Sequence, residues 1–492
     1  MLSYNKTFNK HNINLAAVYE AMDNNFEANI SSARGYGQTV NTTMSNASSP
    51  VSITQPKIRD AMISYVARAN YSYDNRYNLA ATFRRDGSSR LAPASRWDNF
   101  WSLSGSWRVS GERFMSSISD IVSELKIRAS YGVTGNVPDN YYGYFGTYNT
   151  GLAYADLSAI RENQIPNYRL KWERGYQGNI GLELTFLKRF SLILDLYQRD
   201  TKDLLMSRPL SSMSGFTSMI DNVGQLRNRG VEVEVRTVNI SQKDFYWSTS
   251  LNLYSNKNRI EKLSDLSEYI DGRYMRKEGN PWGSLYLREY QGVDPQTGEA
   301  LYYVNSKMAD GSYSKEITTD PNLAFPILLN DVQPVLTGGL ANTINYKFVD
   351  LSFNLSFSLG AYTYDNGIYA LQDDGRDPSI NKSTELRRRW KQPGDITDVP
   401  RYVNGNATGG YFNSSRGIHS SDHLRLKSFT LGLNLPDNWI NQIGLSKTRF
   451  YFSGTNLLTW AAYSQWDPEL VGVVEYAVPP LKTWTFGIEI TF

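Results

Sequence analysis

The 492-residue sequence has no cysteine, which removes a disulfide framework and a cysteine-ligated zinc site from consideration. It has three histidines, His11, His419 and His423. Absent too are a Gly-x-Ser-x-Gly elbow, a His-Glu-x-x-His helix and a Gly-x-x-x-x-Gly-Lys loop that would cradle phosphates. His419 and His423 are four apart but fall at a loop-to-strand junction, so no nucleophile and base can be nominated. We therefore expect no enzyme, no metal centre and no cofactor. No run approaches the roughly 18 apolar residues of a spanning helix, which excludes a helical membrane protein. A β-barrel stays open, because its lumen-facing residues are polar and dilute the apolar ones. The net charge of +3 is too small to argue for nucleic acid. Met1-Leu-Ser-Tyr-Asn-Lys6 has no apolar h-region of a signal peptide.

What the sequence does have is alternation. In Leu481–Phe492, the residues Trp484, Phe486, Ile488, Ile490 and Phe492 share one parity, and Thr485, Gly487, Glu489 and Thr491 the other. A period of two puts each set on one face of a strand. The same design recurs in Leu351–Leu359, where Leu351, Phe353, Leu355, Phe357 and Leu359 alternate with Ser352, Asn354, Ser356 and Ser358. Other segments with this period lie near 12–19, 26–33, 61–73, 76–84, 101–109, 125–131, 179–187, 190–199, 231–235 and 247–253. The pattern predicts about fifteen strands. Aromatic residues reach 13%, which suits interfacial girdles and carbohydrate-contacting loops alike.

Connections alternate in length. Short links are expected near Asp74, Lys188, 242–244 and Val349, with middling ones at 111–123 and 436–444. Long Gly-, Asn-, Asp- and Tyr-rich loops are expected over 132–171, 201–225, 256–336, 360–421 and 454–480. Outer-membrane barrels show this asymmetry, with short periplasmic turns and longer extracellular loops. The fold class expected is all-β, a transmembrane antiparallel barrel over residues 1–492. Residues 482–492 would be the closing strand, and Phe492 an assembly signal. An odd strand count ending in the periplasm would place further strands upstream, so we expect a C-terminal portion.

Several segments also resemble a known family. Asn70-Tyr-Ser-Tyr-Asp-Asn-Arg-Tyr77, Phe83-Arg-Arg-Asp-Gly-Ser-Ser-Arg90 and Trp107-Arg-Val109 are similar to the barrel of SusC/RagA-type TonB-dependent transporters of Bacteroidetes. So are Leu125-Lys-Ile-Arg-Ala-Ser-Tyr-Gly-Val-Thr-Gly-Asn136 and Leu170-Lys-Trp-Glu173. Arg389-Trp-Lys-Gln-Pro-Gly-Asp395 and Val399-Pro-Arg401 resemble the family's loop motif. Leu424-Arg-Leu-Lys-Ser-Phe-Thr-Leu-Gly-Leu-Asn-Leu-Pro436, Gly454-Thr-Asn-Leu-Leu-Thr459 and Asp467-Pro-Glu469 extend the match. Residues 1–60 match least. The resemblance implies a barrel of about 22 strands, an N-terminal plug and opening by TonB. It also implies a SusD-like surface lipoprotein as partner, an oligosaccharide or oligopeptide substrate, and residence in the outer membrane among its lipids. An ungated diffusion porin and a soluble or surface glycan-binding β-protein are the alternatives.

Binding candidates lie in loops. Tyr141, Tyr142, Tyr144 and Tyr148 could stack on sugars or fill a packing role. Asp365, Asp373, Asp374 and Asp377 lack the spacing of a calcium loop and are expected as solvated acids. Arg387-Arg-Arg-Trp390 is expected as a solvated loop helix. Gly292-Val-Asp-Pro-Gln-Thr-Gly298 followed by Leu301-Tyr-Tyr303 predicts a small hairpin within a long loop. Asp86-Gly87 is expected to start a turn where a strand meets a loop.

Overall fold

A computed structural model describes residues 1–37, 43–155, 157–263, 266–406, 413–440, 442, 444–475 and 477–492. Its main feature is a fifteen-stranded antiparallel sheet. The strands are β1 (Leu2–Phe8), β2 (His11–Glu27), β3 (Lys57–Tyr73), β4 (Tyr77–Ser88) and β5 (Trp97–Arg108). Then come β6 (Val122–Asn136), β7 (Glu173–Phe186), β8 (Phe190–Pro209), β9 (Ser218–Ser241) and β10 (Phe245–Lys262). β11 (Leu336–Tyr346), β12 (Val349–Leu359), β13 (His423–Asn434), β14 (Lys447–Ala461) and β15 (Thr483–Thr491) complete it. They are hydrogen-bonded in chain order without a crossover. The chain divides into two compact units, Met1–Glu112 with Ile127–Ile180 and Arg199–Leu226, and Arg113–Lys126 with Gly181–Gln198 and Arg227–Phe492.

In the first unit, register lines up the two parities seen in the sequence. Leu79 lies opposite Tyr71 and Gly105, and Phe83 lies opposite Ala67 and Trp101. This face is apolar and exposed, with Leu79 at 56% and Leu103 at 56%. Aromatic rings edge it at two heights. Tyr19, Tyr65 and Trp97 form one row, with centroids 5.4 and 6.1 Å apart. Tyr73, Tyr77 and Trp107 form the other, at 6.4 and 6.5 Å. Tyr65 and Tyr73 are eight residues apart on one strand, about 27 Å along it. Tilted as barrel strands are, that spacing approaches the apolar band of an outer membrane. The opposite face carries ion pairs, including Arg84–Asp86 at 2.6 Å and Arg174–Asp98 at 2.5 Å.

The second unit repeats the design. Leu355 lies opposite Leu340 on β11 and Leu426 on β13, and Leu426 lies opposite Leu458 on β14. Farther along, Phe452 faces Phe486 of β15 with ring centroids 4.9 Å apart. The other parity holds Arg449 on Asp350 at 2.7 Å. A bulge in β13 interrupts the pattern, and a second register shift lies beside it in β14, where Leu426 pairs with Leu458 but Ser428 with Thr455. Asn354 pairs with Ser428 and Leu355 with Leu426, so Lys427 is an extra residue in β13. Side chains therefore change parity there. Leu424 and Leu426 share a face with Phe429, Leu431 and Leu433, which lie at odd rather than even positions.

Tight turns account for several short links. Asp74 and Asn75 both have positive φ, 52° and 53°, as the central pair of a type I′ turn requires, and Arg76 follows them as a third connecting residue before Tyr77 pairs with Tyr73. Leu187 and Lys188 repeat this at 52° and 55°. An ion cluster sits at the first of these turns. Glu112 accepts from Arg76 Nη1 at 2.7 Å, the Tyr77 hydroxyl at 2.5 Å and Trp107 Nε1 at 3.1 Å.

Some expected boundaries change. Leu2–Phe8 is a strand the alternation did not single out. Residues 26–33 split between the end of β2 and a separate hairpin, Ile30–Tyr36 with Ala47–Thr54. The expected loop over 201–225 is mostly strand, since β8 runs to Pro209 and β9 starts at Ser218. These strands continue past the apolar rows, where a period of two is no longer enforced by apolar surroundings. Asp86-Gly87 lies inside β4 rather than at a turn, opposite Asp98 and Trp97. Glycine is needed there because a Cβ on Gly87 would sit 2.7 Å from the Trp97 ring.

Candidate functional site

The loops that follow β10, β12 and β14 are built, not loose. Tyr362–Asp365 pairs antiparallel with Ile418–Ser420 and parallel with Gly472–Val474, joining two loops by a three-stranded sheet. A Leu285, Leu287, Val332 and Tyr364 core backs it. Thr363 fastens the same junction, its hydroxyl lying 2.5 Å from that of Ser421 and donating to the Leu470 carbonyl at 3.0 Å. His419 stacks on Tyr463 at 3.8 Å with planes 2° apart. Burial pushes His419 below its ordinary pKa, while Asp365 opposes that shift. The Tyr463 hydroxyl donates to Asp365 at 2.7 Å, and Trp466 Nε1 donates to the same oxygen.

The aspartates expected as solvated acids are instead structural anions, with Asp377 the exception. Asp365, Asp373 and Asp374 are at most 3% exposed. Asp374 takes both Arg416 Nη atoms, at 2.5 and 3.2 Å, and Asp373 takes Lys382 at 2.8 Å. A buried carboxylate needs such a partner, because desolvation otherwise disfavours the charge. Sequence reading missed this because the partners lie 42 and 9 residues away. Asp377 is half-buried and accepts from the Ser379 hydroxyl at 2.5 Å.

The Gly292–Leu301 hairpin forms as expected, pairing Tyr290–Val293 with Ala300–Tyr303. Hydrogen bonds from the Gln296 N–H and the Thr297 hydroxyl hold Asp294 below the usual carboxylate range. Its turn is clamped by the loop motif. Trp390 Nε1 and the Gly394 N–H donate to the Pro295 carbonyl at 2.9 and 2.8 Å, and the Trp390 ring covers Gly298. Arg387 and Arg388 lie on a short 3-10 helix, Thr384–Arg388, and are exposed as expected. Trp390 lies outside that helix. Arg425 and Lys427 of the bulge reach Asp467 at 2.8 Å and Glu469 at 2.5 Å, tying the Asp467-Pro-Glu469 motif down.

In the first unit the four tyrosine candidates part company. Tyr144 is 6% exposed and packs in a core with Leu91, Phe100, Val133, Leu170 and Trp172. Tyr141 lies half-buried under the Arg90 guanidinium, 4.0 Å away. Tyr142 is 37% exposed and Tyr148 62%, and Phe145 beside them is 43%. These three rings are the ones open to a ligand. Phe492 is 91% exposed, and its carbonyl accepts from Ser446 Oγ at 3.2 Å.

The family model described as TonB dependent receptor-like, beta-barrel, matches residues 2–489. The chain belongs to the TonB-dependent receptor family. TonB-dependent receptor P3 of Formosa agariphila is 30% identical over all of this chain and 52% of its own length. TonB-dependent receptor SusC of Bacteroides thetaiotaomicron is 29% identical over 88% of this chain and 44% of its own. Among solved structures, the RagAB peptide transporter superposes on the whole chain with a TM-score of 0.86 at 27% identity, covering 54% of that chain. The chain thus spans about half the length of the curated relatives it matches. The SusC/RagA resemblance read from the motifs agrees with these relatives.

Proposed function

We propose that this receptor barrel serves nutrient import across an outer membrane in the SusC manner, energised through TonB. The observation that carries the reading is the two-faced sheet. One parity is apolar, exposed and edged by aromatic rows, and the other is polar and ion-paired. Lipid on one side and a wet lumen on the other select that division. A SusD-like lipoprotein is the proposed partner, consistent with likeness to a chain of the RagAB peptide transporter. The proposed cargo is an oligosaccharide or oligopeptide, met at the exposed rings of Tyr142, Phe145 and Tyr148. Transport of this kind needs no bond chemistry from the chain.

Uptake of fluorescent oligosaccharides and oligopeptides by cells carrying or lacking the full-length gene tests the reading. Expected is gene-dependent uptake that stops when the proton-motive force is collapsed. Replacing Tyr142 and Tyr148 together by Ala should lower uptake about tenfold, the equivalent of about 1.4 kcal/mol. Uptake that survives collapse of the force favours an ungated porin. Failure to fractionate with outer membranes refutes the reading altogether.

A further inference from the structure

We propose that the apolar face of the first unit carries a binding site for a phosphate-headed lipid. Its headgroup would rest on Arg85 and an acyl chain in the groove beside it. The argument starts from two consecutive arginines with opposite fates. Arg84 lies on the polar face, with Asp86 at 2.6 Å and the Ser64 hydroxyl at 2.9 Å. Arg85 lies on the apolar face, opposite Tyr65 on one neighbour and Asn99 on the other. It is exposed, and the contact it makes is with the Trp97 ring, 5.7 Å from the guanidinium carbon. No carboxylate answers its charge among the described residues.

An unpaired cation facing lipid is costly at mid-depth and cheap at headgroup height. The Tyr19, Tyr65 and Trp97 row marks that height, and aromatic girdles sit where hydrocarbon meets headgroups. A guanidinium there matches a phosphate, to which it can donate two parallel hydrogen bonds. The neighbouring surface supplies the second observation. A groove of about 550 Å³ opens on the same face, walled by Leu15 and Phe83 and floored by Ala17, Ala67, Ala69 and Ala81. That volume is within the usual range for small-molecule sites, about 300–1,000 Å³. Phe83 is two residues from Arg85 and Ala67 two from Tyr65, so the groove begins about 7 Å from the cation. A cationic ledge next to an apolar trough fits a molecule with an anionic head and a hydrocarbon tail. A second copy of this chain would present the same cation to itself, so like charge argues against it.

The proposal goes beyond import and rests on the membrane placement alone. It can be tested by native mass spectrometry of the full-length protein extracted in detergent, titrated with phosphatidylglycerol, phosphatidylcholine or inorganic phosphate. Expected is retention of one phosphatidylglycerol at collision energies that strip phosphatidylcholine. Arg85→Gln should lower that retention at least fivefold, Arg85→Lys should keep most of it, and Ala69→Leu should lower it by filling the groove. Heat-modifiable mobility confirms that each variant is folded, and uptake assays report import separately. Equal retention of the two lipids, indifference to Arg85→Gln, dimer formation without lipid, or displacement of the lipid by inorganic phosphate would each overturn the proposal.

Discussion

Leu355→Arg probes the two-faced sheet most directly. β12 has eleven residues, about 34 Å along the strand. At a tilt of about 40° it spans about 26 Å, close to the apolar band of about 25 Å. Leu355 is the seventh residue of β12, about 16 Å up from the turn after tilt and so within about 3 Å of the midplane. It lies directly opposite Leu340 and Leu426, with no acid in either cross-strand position to pair with a cation. Arginine at that depth on a lipid face should cost about 2–4 kcal/mol. The measurement is urea unfolding in lipid vesicles, followed by the loss of heat-modifiable mobility on gels. Asn354→Arg is the control, because the preceding position faces the other way, is exposed and lies opposite Ala341 and Ser428 rather than another cation. Its expected effect is under about 1 kcal/mol. Equal costs for the two substitutions, or wild-type stability for Leu355→Arg, would refute the assignment of faces.

Two further outcomes follow from the loops. Arg416→Ala leaves Asp374 buried without its bidentate partner, at 0% exposure. Removing one member of a buried pair costs about 3–5 kcal/mol, so limited proteolysis should cut within residues 360–421 much faster, while the strands stay protected. His419 has a folded pKa below its ordinary 6.5, so below that pH the opened loop binds more protons than the closed one. Stability of the junction is therefore present above pH 6.5 and lost as pH falls toward the folded value. The protection factors against hydrogen exchange at 362–365, 418–420 and 472–474, taken relative to the base-catalysed rate of free amides at each pH, should fall between pH 7.5 and 5 in the wild type, and His419→Phe should flatten that change. A pH-independent wild type would refute this account.

The strands were legible in the sequence where apolar surroundings reach one face and not the other, as in 351–359 and 481–492. Even the bulge leaves a trace. Leu424 and Leu426 fall on even numbers, Phe429, Leu431 and Leu433 on odd ones, and Lys427 stands at the slip. Legibility ends where strands leave the apolar rows, so β8 and β9 looked like loop past residue 201. The loops were harder because their order comes from distant partners. Asp374 finds Arg416, Trp390 finds Pro295 and Asp365 finds Trp466, and spacing along the chain encodes none of these. Composition marked Tyr144 and Tyr148 alike, yet one is core and the other is exposed.

The extra residue at Lys427 makes β13 a splice between two half-strands of opposite phase. Each half obeys an even-odd rule, and the rule is reset once between them. A one-residue deletion on either side of the splice would send every side chain from the deletion to the bulge through to the wrong surface. Arg425 would point into hydrocarbon while Leu424 and Leu426 turned to water. Deleting Lys427 itself would instead merge the two halves into one phase, with Leu424, Leu426, Phe429, Leu431 and Leu433 at successive steps of two against β12. Away from Lys427, length changes in this strand should thus be tolerated only in steps of two, a parity constraint that its long, forgiving loops do not share.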